Sequence, residues 1–272
     1  MALMNVIDAS FSYGNGDIFS KISFSVSPGE LFCLLGPNGC GKTTLLDCML
    51  GSLKLTAGDI RLDDTSIAGM RPGQLARSVA YVPQKHDRTF PYTVRDIVKM
   101  GRAAYIGLFG APSRFDEEKA DEALETVGIA HLKQRPYTQI SGGESQLVMI
   151  ARALAQATPI IIMDEPTAHL DFRHELVIME TVARLVRTKG ISVIMATHFP
   201  NHAFYFQNNG VATRAALLHE GSFLAAGAPD DILSEQNMER LYGVRTKLLT
   251  YDAGGAHTIK QVVPLGTVQH SF

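Results

Sequence analysis

The sequence predicts an α/β fold with a parallel β-sheet core, an antiparallel β subdomain at the N-terminus and an inserted helical subdomain. Short apolar runs typical of buried strands alternate with helical segments in residues 30–50 and again in residues 160–198. Strands that alternate with helices pair in parallel through helical crossovers. Residues 5–26 instead alternate apolar and polar side chains, which is typical of antiparallel strands, and residues 92–156 follow a helical period.

The elements of the N-terminal part follow from its turns. A Gly-Asn-Gly turn at residues 14–16 divides the first strands, and the apolar strand of residues 30–36 runs into a glycine-rich loop. A helix begins at Thr43 directly after this loop. Residues 58–67 and 78–84 predict further strands.

The helical segment contains one strongly periodic stretch, residues 116–129. Gly128 is expected to end this helix, and residues 105–114 form an apolar loop interrupted by glycine and proline. The apolar residues of the stretch fall on one helical face; they are Ala120, Ala123, Leu124 and Val127.

The C-terminal part predicts a strand, a helix and a strand, at residues 160–164, 172–190 and 191–198. Two hairpins follow, one turning at Glu220-Gly221 and one near Gly254-Gly255. We therefore expect three units: a main domain over residues 1–243, its inserted helical subdomain over about 92–156, and a β-hairpin tail over 244–272.

Composition excludes several classes of function. A formal net charge of -2 provides no broad basic surface, so nucleic acid is not expected as a partner. No apolar run approaches the roughly 18 residues of a membrane-spanning helix. The N-terminus has no basic residue before Lys21 and is not expected to be a secretory signal. The three cysteines lack disulfide or metal-ligand spacing, which fits a reduced, cytosolic setting.

Residues 36–43, GPNGCGKT, match a complete phosphate-binding loop between a predicted strand and a predicted helix. The glycines let backbone N–H groups turn toward phosphate oxygens, and the following helix adds its positive end. Lys42 is expected to reach the β- and γ-phosphates, and the Thr43 hydroxyl to bind Mg²⁺. The candidate nucleotide-binding residues are Gly36, Pro37, Asn38, Gly39, Cys40, Gly41, Lys42, Thr43 and Thr44.

Two other interpretations of this loop were considered. One is a chance glycine-rich turn, which the flanking strand and helix disfavour. The other is a dinucleotide-binding loop, but Lys42 and Thr43 replace the region of the third glycine in that fingerprint.

Two acidic residues, Asp164 and Glu165, end the apolar strand of residues 160–164. Asp164 is expected to hold Mg²⁺, and Glu165 to polarise the attacking water. A positioned base typically contributes about 10²–10⁴-fold to a rate. The alternative is an acidic pair exposed to solvent at a strand end.

A third motif, QISGGESQLVMIARAL, occupies residues 139–154. Together with the two motifs above, it makes the chain similar to the ATP-binding-cassette (ABC) ATPases over about residues 2–243. The resemblance implies a P-loop NTPase fold of the RecA type, with ATP and Mg²⁺ as cofactors. It also implies that two copies of the chain close on ATP between them.

The resemblance assigns roles to individual residues. Tyr13 is similar to the aromatic residue that stacks on adenine, and Gln84 to the glutamine that senses Mg²⁺ and the attacking water. Asp171 matches the loop that crosses the dimer interface, and His198 matches the switch histidine that contacts the γ-phosphate. The signature residues, which cap the γ-phosphate of the opposite subunit, are Ser141, Gly142, Gly143 and Glu144.

The chain departs from the family pattern at several positions. The signature has Ile140 and Glu144 at its ends, where leucine and glutamine are commoner, and Phe199 replaces a frequent acidic residue. The first two changes are mild; Phe199 should leave hydrolysis intact but alter the packing around the switch. Cys40 lies inside the phosphate loop, whose positive surroundings favour a thiolate, although a reduced thiol is the simpler expectation.

Four histidines are possible metal ligands, but the sequence disfavours this role for each of them. His198 and His202 are four residues apart, but Pro200 lies between them and disfavours the regular helix that a zinc motif needs. His169 and His174 are expected to be surface histidines.

The residues FPYTVRDIVKMGR (90–102), with EPTAHLDF and PNHA, resemble the ATPases of importers for iron-siderophores, haem, cobalamin and related metal chelates. Zinc and manganese importers share part of this pattern and remain an alternative. The implied partners are a second copy of the chain, separate transmembrane permease subunits and, indirectly, an extracytoplasmic substrate-binding protein. The implied location is the cytoplasmic face of the cell membrane.

The permease is expected to dock on residues 92–112, including the apolar loop 107–112, which alternatively folds back on its own lobe. Other classes of function remain open. A DNA-repair or translation ATPase would add a coiled-coil insertion or a second cassette, and a GTPase switch would have no use for the signature. An exporter ATPase would serve a permease that works without an external binding protein.

Overall fold

Twelve strands and nine helices lie in the part of the chain that the computed structural model describes, residues 2–86, 90–107, 110–252, 254 and 258–268. The strands are β1 (Met4–Ser12), β2 (Asp17–Val26), β3 (Leu31–Leu35), β4 (Ala57–Leu62), β5 (Thr65–Ser66), β6 (Val79–Val82), β7 (Ile160–Asp164), β8 (Ser192–Thr197), β9 (Thr213–His219), β10 (Ser222–Gly227), β11 (Val244–Asp252) and β12 (Thr258–Thr267). The helices are α1 (Lys42–Met49), α2 (Pro72–Leu75), α3 (Val94–Lys99), α4 (Arg114–Val127), α5 (Gly142–Ala155), α6 (Phe172–Lys189), α7 (Pro200–Asn208), α8 (Pro229–Ile232) and α9 (Glu235–Tyr242). Over these described residues, no helix has the length and apolar character needed to cross a membrane.

A six-stranded sheet forms the centre of the molecule, in the order β10-β9-β3-β8-β7-β6. The strands from β9 to β6 are parallel, and β10 joins one edge as the antiparallel hairpin partner of β9. Every residue of β3, β7 and β8 is buried. Burial on both faces explains why these strands are continuous apolar runs in the sequence, and the predicted parallel α/β core is confirmed.

The N-terminal strands form a separate antiparallel sheet in the order β2-β1-β4-β5. Phe24 of this sheet stacks on Phe32 of β3, with ring centroids 4.5 Å apart. The apolar face of α1 packs in the same core through Leu45, Leu46 and Met49, which are fully buried. Each such side chain contributes about 1.5–3 kcal/mol on burial, so the helix that begins at the phosphate loop is firmly anchored.

The helices α3, α4 and α5 pack against one another. The predicted apolar face of α4 is buried, and Gly128 ends this helix in the left-handed conformation at φ 88°. Arg102, also buried, donates from Nε to Asp116 Oδ1 and from Nη1 to the Ala155 carbonyl, both at 3.0 Å. Its guanidinium carbon lies 3.9 Å from the centroid of the Tyr105 ring, so one side chain joins three segments of this region.

Both predicted hairpins form. Glu220 and Gly221 turn the first one with φ of 46° and 75°. In the second, β11 pairs with β12; Gly255 of its predicted turn lies outside the described residues, as do Leu108 and Phe109 of the apolar loop. The domain limits, at residues 92, 156 and 243, remain predictions.

Candidate active site

The phosphate loop connects the end of β3 to the start of α1. Gly41 precedes the helix with φ 101°, a left-handed conformation that favours glycine. A Cβ atom at Gly36 would lie 2.6 Å from both the Leu218 carbonyl oxygen and Cys40 Sγ. The loop can therefore approach β9 this closely only with glycine at position 36.

Lys42, the first residue of α1, is almost fully buried. Its Nζ donates to the carbonyl oxygens of Gly36 at 2.8 Å and Pro37 at 3.0 Å. The same nitrogen lies 3.4 Å from Glu165 Oε1. The lysine thus closes the loop on itself and brings a positive charge to the end of β7.

Thr43 and Asp164 lie together at the base of this group. The Thr43 hydroxyl donates to Asp164 Oδ2 at 2.8 Å, and Asp164 Oδ1 is buried without a hydrogen-bond partner among the described residues. Burial raises the pKa of Asp164 above its ordinary value. An orphaned carboxylate oxygen beside a hydroxyl is a set of hard oxygen donors, and these residues fit Mg²⁺.

Glu165 is the centre of the site. Gln84 Nε2 donates to its Oε2 at 3.3 Å, and His198 Nδ1 lies 3.1 Å from the same oxygen. Its own backbone is left-handed at φ 43°, and its N–H donates to the Ala196 carbonyl at 2.9 Å. The structure therefore gathers Lys42, Gln84 and His198 around one carboxylate, next to the Thr43–Asp164 pair.

Together these side chains form the glutamate cluster, which has six members: Lys42, Thr43, Gln84, Asp164, Glu165 and His198. They come from α1, from the segment after β6 and from the ends of β7 and β8. In parallel sheets, the carboxyl ends of the strands are where ligands bind. The cluster can hold a phosphate and a cation, and its carboxylate can accept a proton from water.

The signature lies at the start of α5. Ser141 caps this helix by accepting from the Glu144 N–H at 3.2 Å, and Glu144 Oε2 accepts from the Ser141 N–H at 2.8 Å. This reciprocal capping box explains why an acidic residue is accommodated at position 144. The hydrogen bonds from Ser141 lower the pKa of Glu144. Ser141 and Gly142 are exposed, so the positive end of α5 faces solvent.

Gly143 is in contact with the segment that contains Asp171. A Cβ atom at Gly143 would lie 2.1 Å from His174 Cδ2. His174 in turn is held by Asp171, whose Oδ1 caps α6 by accepting from the His174 N–H at 2.8 Å and whose Oδ2 lies 2.8 Å from the ring Nδ1. His174 is partly exposed, as predicted, but it also connects Asp171 to the signature.

Tyr13 lies apart from the glutamate cluster, at the end of β1. Its ring is largely exposed and meets Phe11 edge to face, with centroids 4.8 Å apart. Cys40 does not have the thiolate character that its positive surroundings suggested. Burial outweighs the charge of Lys42 and raises the pKa of the thiol, which agrees with the reduced thiol that the sequence analysis expected.

The two histidines weighed as a metal pair have different partners. His198 faces Glu165, whereas His202 is buried and lies 2.6 Å from Glu175 Oε1 and 2.9 Å from Thr197 Oγ1. Phe199 packs close to His198, with ring centroids 3.9 Å apart and ring planes tilted by 41°. The effect of Phe199 on the packing around His198, relative to an acidic residue, stays a prediction.

Comparison with known proteins identifies the family. A family model described as ABC transporter matches residues 19–168, more than half of the chain. The chain belongs to the ABC transporter family. It is therefore an ABC ATPase, which binds and hydrolyses ATP, and the predicted family and enzyme class are confirmed.

Individual relatives of this ABC ATPase match along nearly its whole length. An uncharacterized ABC transporter ATP-binding protein of Haemophilus influenzae is 37% identical over 91% of this chain and 92% of its own length. The hemin import ATP-binding protein HmuV of Bordetella bronchiseptica is 36% identical over 88% of this chain and 91% of its own length. A solved metal-chelate type ABC transporter in an inward-facing conformation superposes with a TM-score of 0.85 at 30% identity, covering 97% of each chain.

Sequence reasoning did not find every residue around the ABC site. It did not identify Thr197 and Glu175 as partners of His202. Thr197 is only 5 positions from His202, but Glu175 is 27 positions away, and no motif joins the three residues. His174 was considered only as a surface residue. Its position three residues after the cap Asp171 was the available signal, since helical side chains at that spacing are neighbours.

Proposed function

We propose that this ABC ATPase powers the import of a metal chelate of the iron-siderophore, haem or cobalamin class. The resemblance of the HmuV relative, which is a hemin import protein, and of the metal-chelate type transporter supports this substrate class. The motif at residues 90–102 points the same way. Zinc and manganese import is the second candidate, favoured only by the part of that motif which the two branches share.

The phosphate-binding role belongs to the loop of residues 36–44. Its backbone N–H groups and Lys42 hold the β- and γ-phosphates. Thr43, Asp164 and Gln84 would hold Mg²⁺, which would neutralise charge on the phosphate oxygens. The orphaned Oδ1 of Asp164 supports this assignment.

Glu165 is the general base in this proposal. Its carboxylate accepts the proton of the attacking water, and Gln84 orients that water. The contacts of Glu165 with Gln84 at 3.3 Å and with His198 at 3.1 Å support the assignment, because both partners meet the same carboxylate oxygen, Oε2. His198 then contacts the γ-phosphate, so the switch histidine links the base to the phosphate.

Two copies of the chain complete the site. The exposed start of α5, with Ser141, Gly142 and the buried Gly143, supplies N–H groups to the γ-phosphate held by the other copy. Tyr13 stacks on the adenine, and Asp171 crosses the dimer interface. ATP then binds the closed dimer better than the open one, and this difference in affinity drives closure.

Separate permease subunits receive this motion. A surface cavity of about 450 Å³ lies beside α3 and is lined by residues that include Tyr92, Met100, Ala103, Ile106 and Pro112. Tyr92 and Met100 are large apolar side chains exposed to solvent, which suits the apolar face of a short permease helix. The chain thus works at the cytoplasmic face of the membrane, and an extracytoplasmic binding protein delivers the substrate to the permease.

The test is uptake by cells that carry either the wild-type chain or Glu165→Gln. Radiolabelled ferric siderophore, haem, cobalamin, zinc and manganese are supplied one at a time. Selective loss of one chelate in the variant is expected, while Glu180→Gln, at an exposed position of α6, retains uptake. Unchanged uptake of all five, with ATPase activity intact in the purified wild type, would contradict metal-chelate import.

A further inference from the structure

A buried histidine lies directly behind the switch segment. His202 is on the first turn of α7, and only 6% of its side chain is exposed. Its Nδ1 lies 2.9 Å from Thr197 Oγ1 and its Nε2 lies 2.6 Å from Glu175 Oε1. Both ring nitrogens therefore have close polar partners, although His202 does not contact the glutamate cluster itself.

The donor and acceptor roles in this network of hydrogen bonds are compatible with one another. The Phe199 N–H donates to Thr197 Oγ1 at 3.1 Å. If the Thr197 hydroxyl donates to His202 Nδ1, the neutral imidazole carries its proton on Nε2 and donates it to Glu175. Every partner in the chain is then satisfied, and this tautomer is the one that the network selects.

These hydrogen bonds involve the residues on both sides of the switch histidine, His198. Thr197 and Phe199 are the residues on either side of His198. The Thr197 hydroxyl accepts from the Phe199 N–H and lies next to His202 Nδ1. The Phe199 ring also packs against both histidines, with centroids 3.9 Å from His198 and 5.2 Å from His202. The backbone on both sides of His198 is therefore tied to a buried network of hydrogen bonds.

The network of hydrogen bonds ends at Glu175 on α6. Glu175 is in the first turn of that helix, which Asp171 caps and where His174 meets Gly143. The hydrogen bond from His202 lowers the pKa of Glu175. The first turn of α6 therefore contacts the signature through His174 and His202 through Glu175.

We propose that Thr197, His202 and Glu175 are positioning residues that hold His198 in register with Glu165 and tie it to the start of α6. This inference rests on the proposed role of His198. It predicts that the network affects the chemical step more than ATP binding, because none of its members reaches the phosphate-binding loop.

The sharpest variant is Thr197→Val, which removes the hydroxyl while keeping the shape of the side chain in a strand position that is 2% exposed. We expect kcat for ATP hydrolysis to fall about tenfold with KM within about twofold, since the buried partners lose their hydrogen bonds. Thr197→Ser restores the hydroxyl and is expected to restore kcat. Glu175→Ala, at a partly exposed position, should give the same loss, and Glu175→Gln, which still accepts from Nε2, should recover it.

Asn201→Ala provides the matched control. Asn201 is next to His202 on the same turn, but its amide donates to the Val262 carbonyl at 3.0 Å and accepts from the Val262 N–H at 2.8 Å. It therefore tests the anchoring of α7 without touching the network. Thermal unfolding of each variant shows whether it is folded. An equal fall of kcat in Asn201→Ala would overturn the inference, because general loosening of α7 would then explain the result.

A double-mutant cycle with His198→Ala distinguishes the positioning role of the network from the proposed role of His198 itself. If the network acts through His198, Thr197→Val has no further effect in the His198→Ala background, as single-turnover hydrolysis of labelled ATP can measure. Additive losses would overturn the positioning role while leaving that of His198 intact. Full activity in His198→Ala alone would instead remove His198 from the proposed function, and with it the basis of this inference.

Discussion

The two halves of the candidate site differ in how they are completed. In the glutamate cluster, the side chains meet one another: Lys42, Gln84 and His198 all contact Glu165 within the same chain. At the signature, the hydrogen bonds of Ser141 in the described structure go to Glu144 of its own helix, and the helix start faces solvent. In one half, the side chains contact one another within the chain, and in the other, the positive end of a helix faces solvent.

This difference has a consequence for substitutions. In the glutamate cluster, Glu165 contacts several other residues of the proposed catalytic site. A change in its charge should therefore alter the rate of ATP hydrolysis. At the signature, the acidic residue supports the helix, so the same change should act on local stability alone. Both halves contain a glutamate, Glu165 and Glu144, and the same replacement by glutamine can be made in each.

The largest expected effect is that of Glu165→Gln. Glutamine keeps the shape of the side chain but cannot accept a proton from water, so hydrolysis should fall at least about 100-fold. ATP binding and ATP-dependent dimer formation should persist. Steady-state hydrolysis, equilibrium ATP binding and light scattering after gel filtration measure the three quantities. Normal turnover in the variant would remove Glu165 from the mechanism and erase the contrast between the halves.

A smaller loss is expected from the signature. Gly143→Asp places a Cβ where His174 already lies, and Ser141→Ala removes the cap of α5. We expect hydrolysis to fall about tenfold or more, equivalent to about 1.4 kcal/mol or more of activation free energy, with ATP binding to the isolated chain retained. If the monomer instead failed to bind ATP, the signature would belong to the same half of the site as the phosphate loop.

A third prediction concerns stability within the glutamate cluster. Because burial raises the pKa of Asp164, its charge opposes folding, and that cost appears as the pH rises from the unfolded pKa through the higher folded pKa. Asp164→Asn should therefore raise the melting temperature of the nucleotide-free chain at neutral pH by about 2–4 °C, the shift that roughly 1 kcal/mol produces at this size. The same variant should lose Mg²⁺-dependent hydrolysis. Calorimetry at neutral pH and at pH 4 checks the sign: a gain that did not shrink at the lower pH would contradict burial as its cause.

The smallest effect is that of Glu144→Gln. The lowered pKa of Glu144 stabilises the fold above its ordinary value of 4.5, and this contribution is lost as the pH falls through the folded pKa. Glutamine can still accept from the Ser141 N–H, and the position is close to solvent, so the free energy of unfolding should change by no more than about 0.5 kcal/mol. Denaturant titration at pH 7 and pH 4 measures it. A loss of hydrolysis rate as large as that of Glu165→Gln would show that both glutamates act on the rate, and not Glu165 alone.

Much of the site was predictable because local motifs specify it. GPNGCGKT requires a strand before it and a helix after it, and the structure places β3 and α1 there. The turn at Glu220-Gly221 and the end of α4 at Gly128 follow from residues that favour left-handed backbone. In each case, the residues that decide the structure are neighbours in the sequence.

The unpredicted features depend on contacts between distant segments. The bond between His202 and Glu175 joins α7 to α6, and the contact of Gly143 with His174 joins α5 to α6. For Cys40, the sequence indicated the charge of the nearby Lys42 but not the extent of burial, which has the larger effect on the thiol pKa. Neither distance nor desolvation can be obtained from a local pattern.

The backbone of Glu165 carries a final consequence. At φ 43° this residue adopts a conformation that costs about 1–2 kcal/mol for a side chain with a Cβ and almost nothing for glycine. The hydrogen bond from its N–H to the Ala196 carbonyl holds it there. Folding alone would therefore favour glycine at position 165, and a search for more thermostable variants would be drawn toward the loss of this carboxylate. If Glu165 is the general base, as proposed, a substitution that relieves this backbone strain would also remove the base.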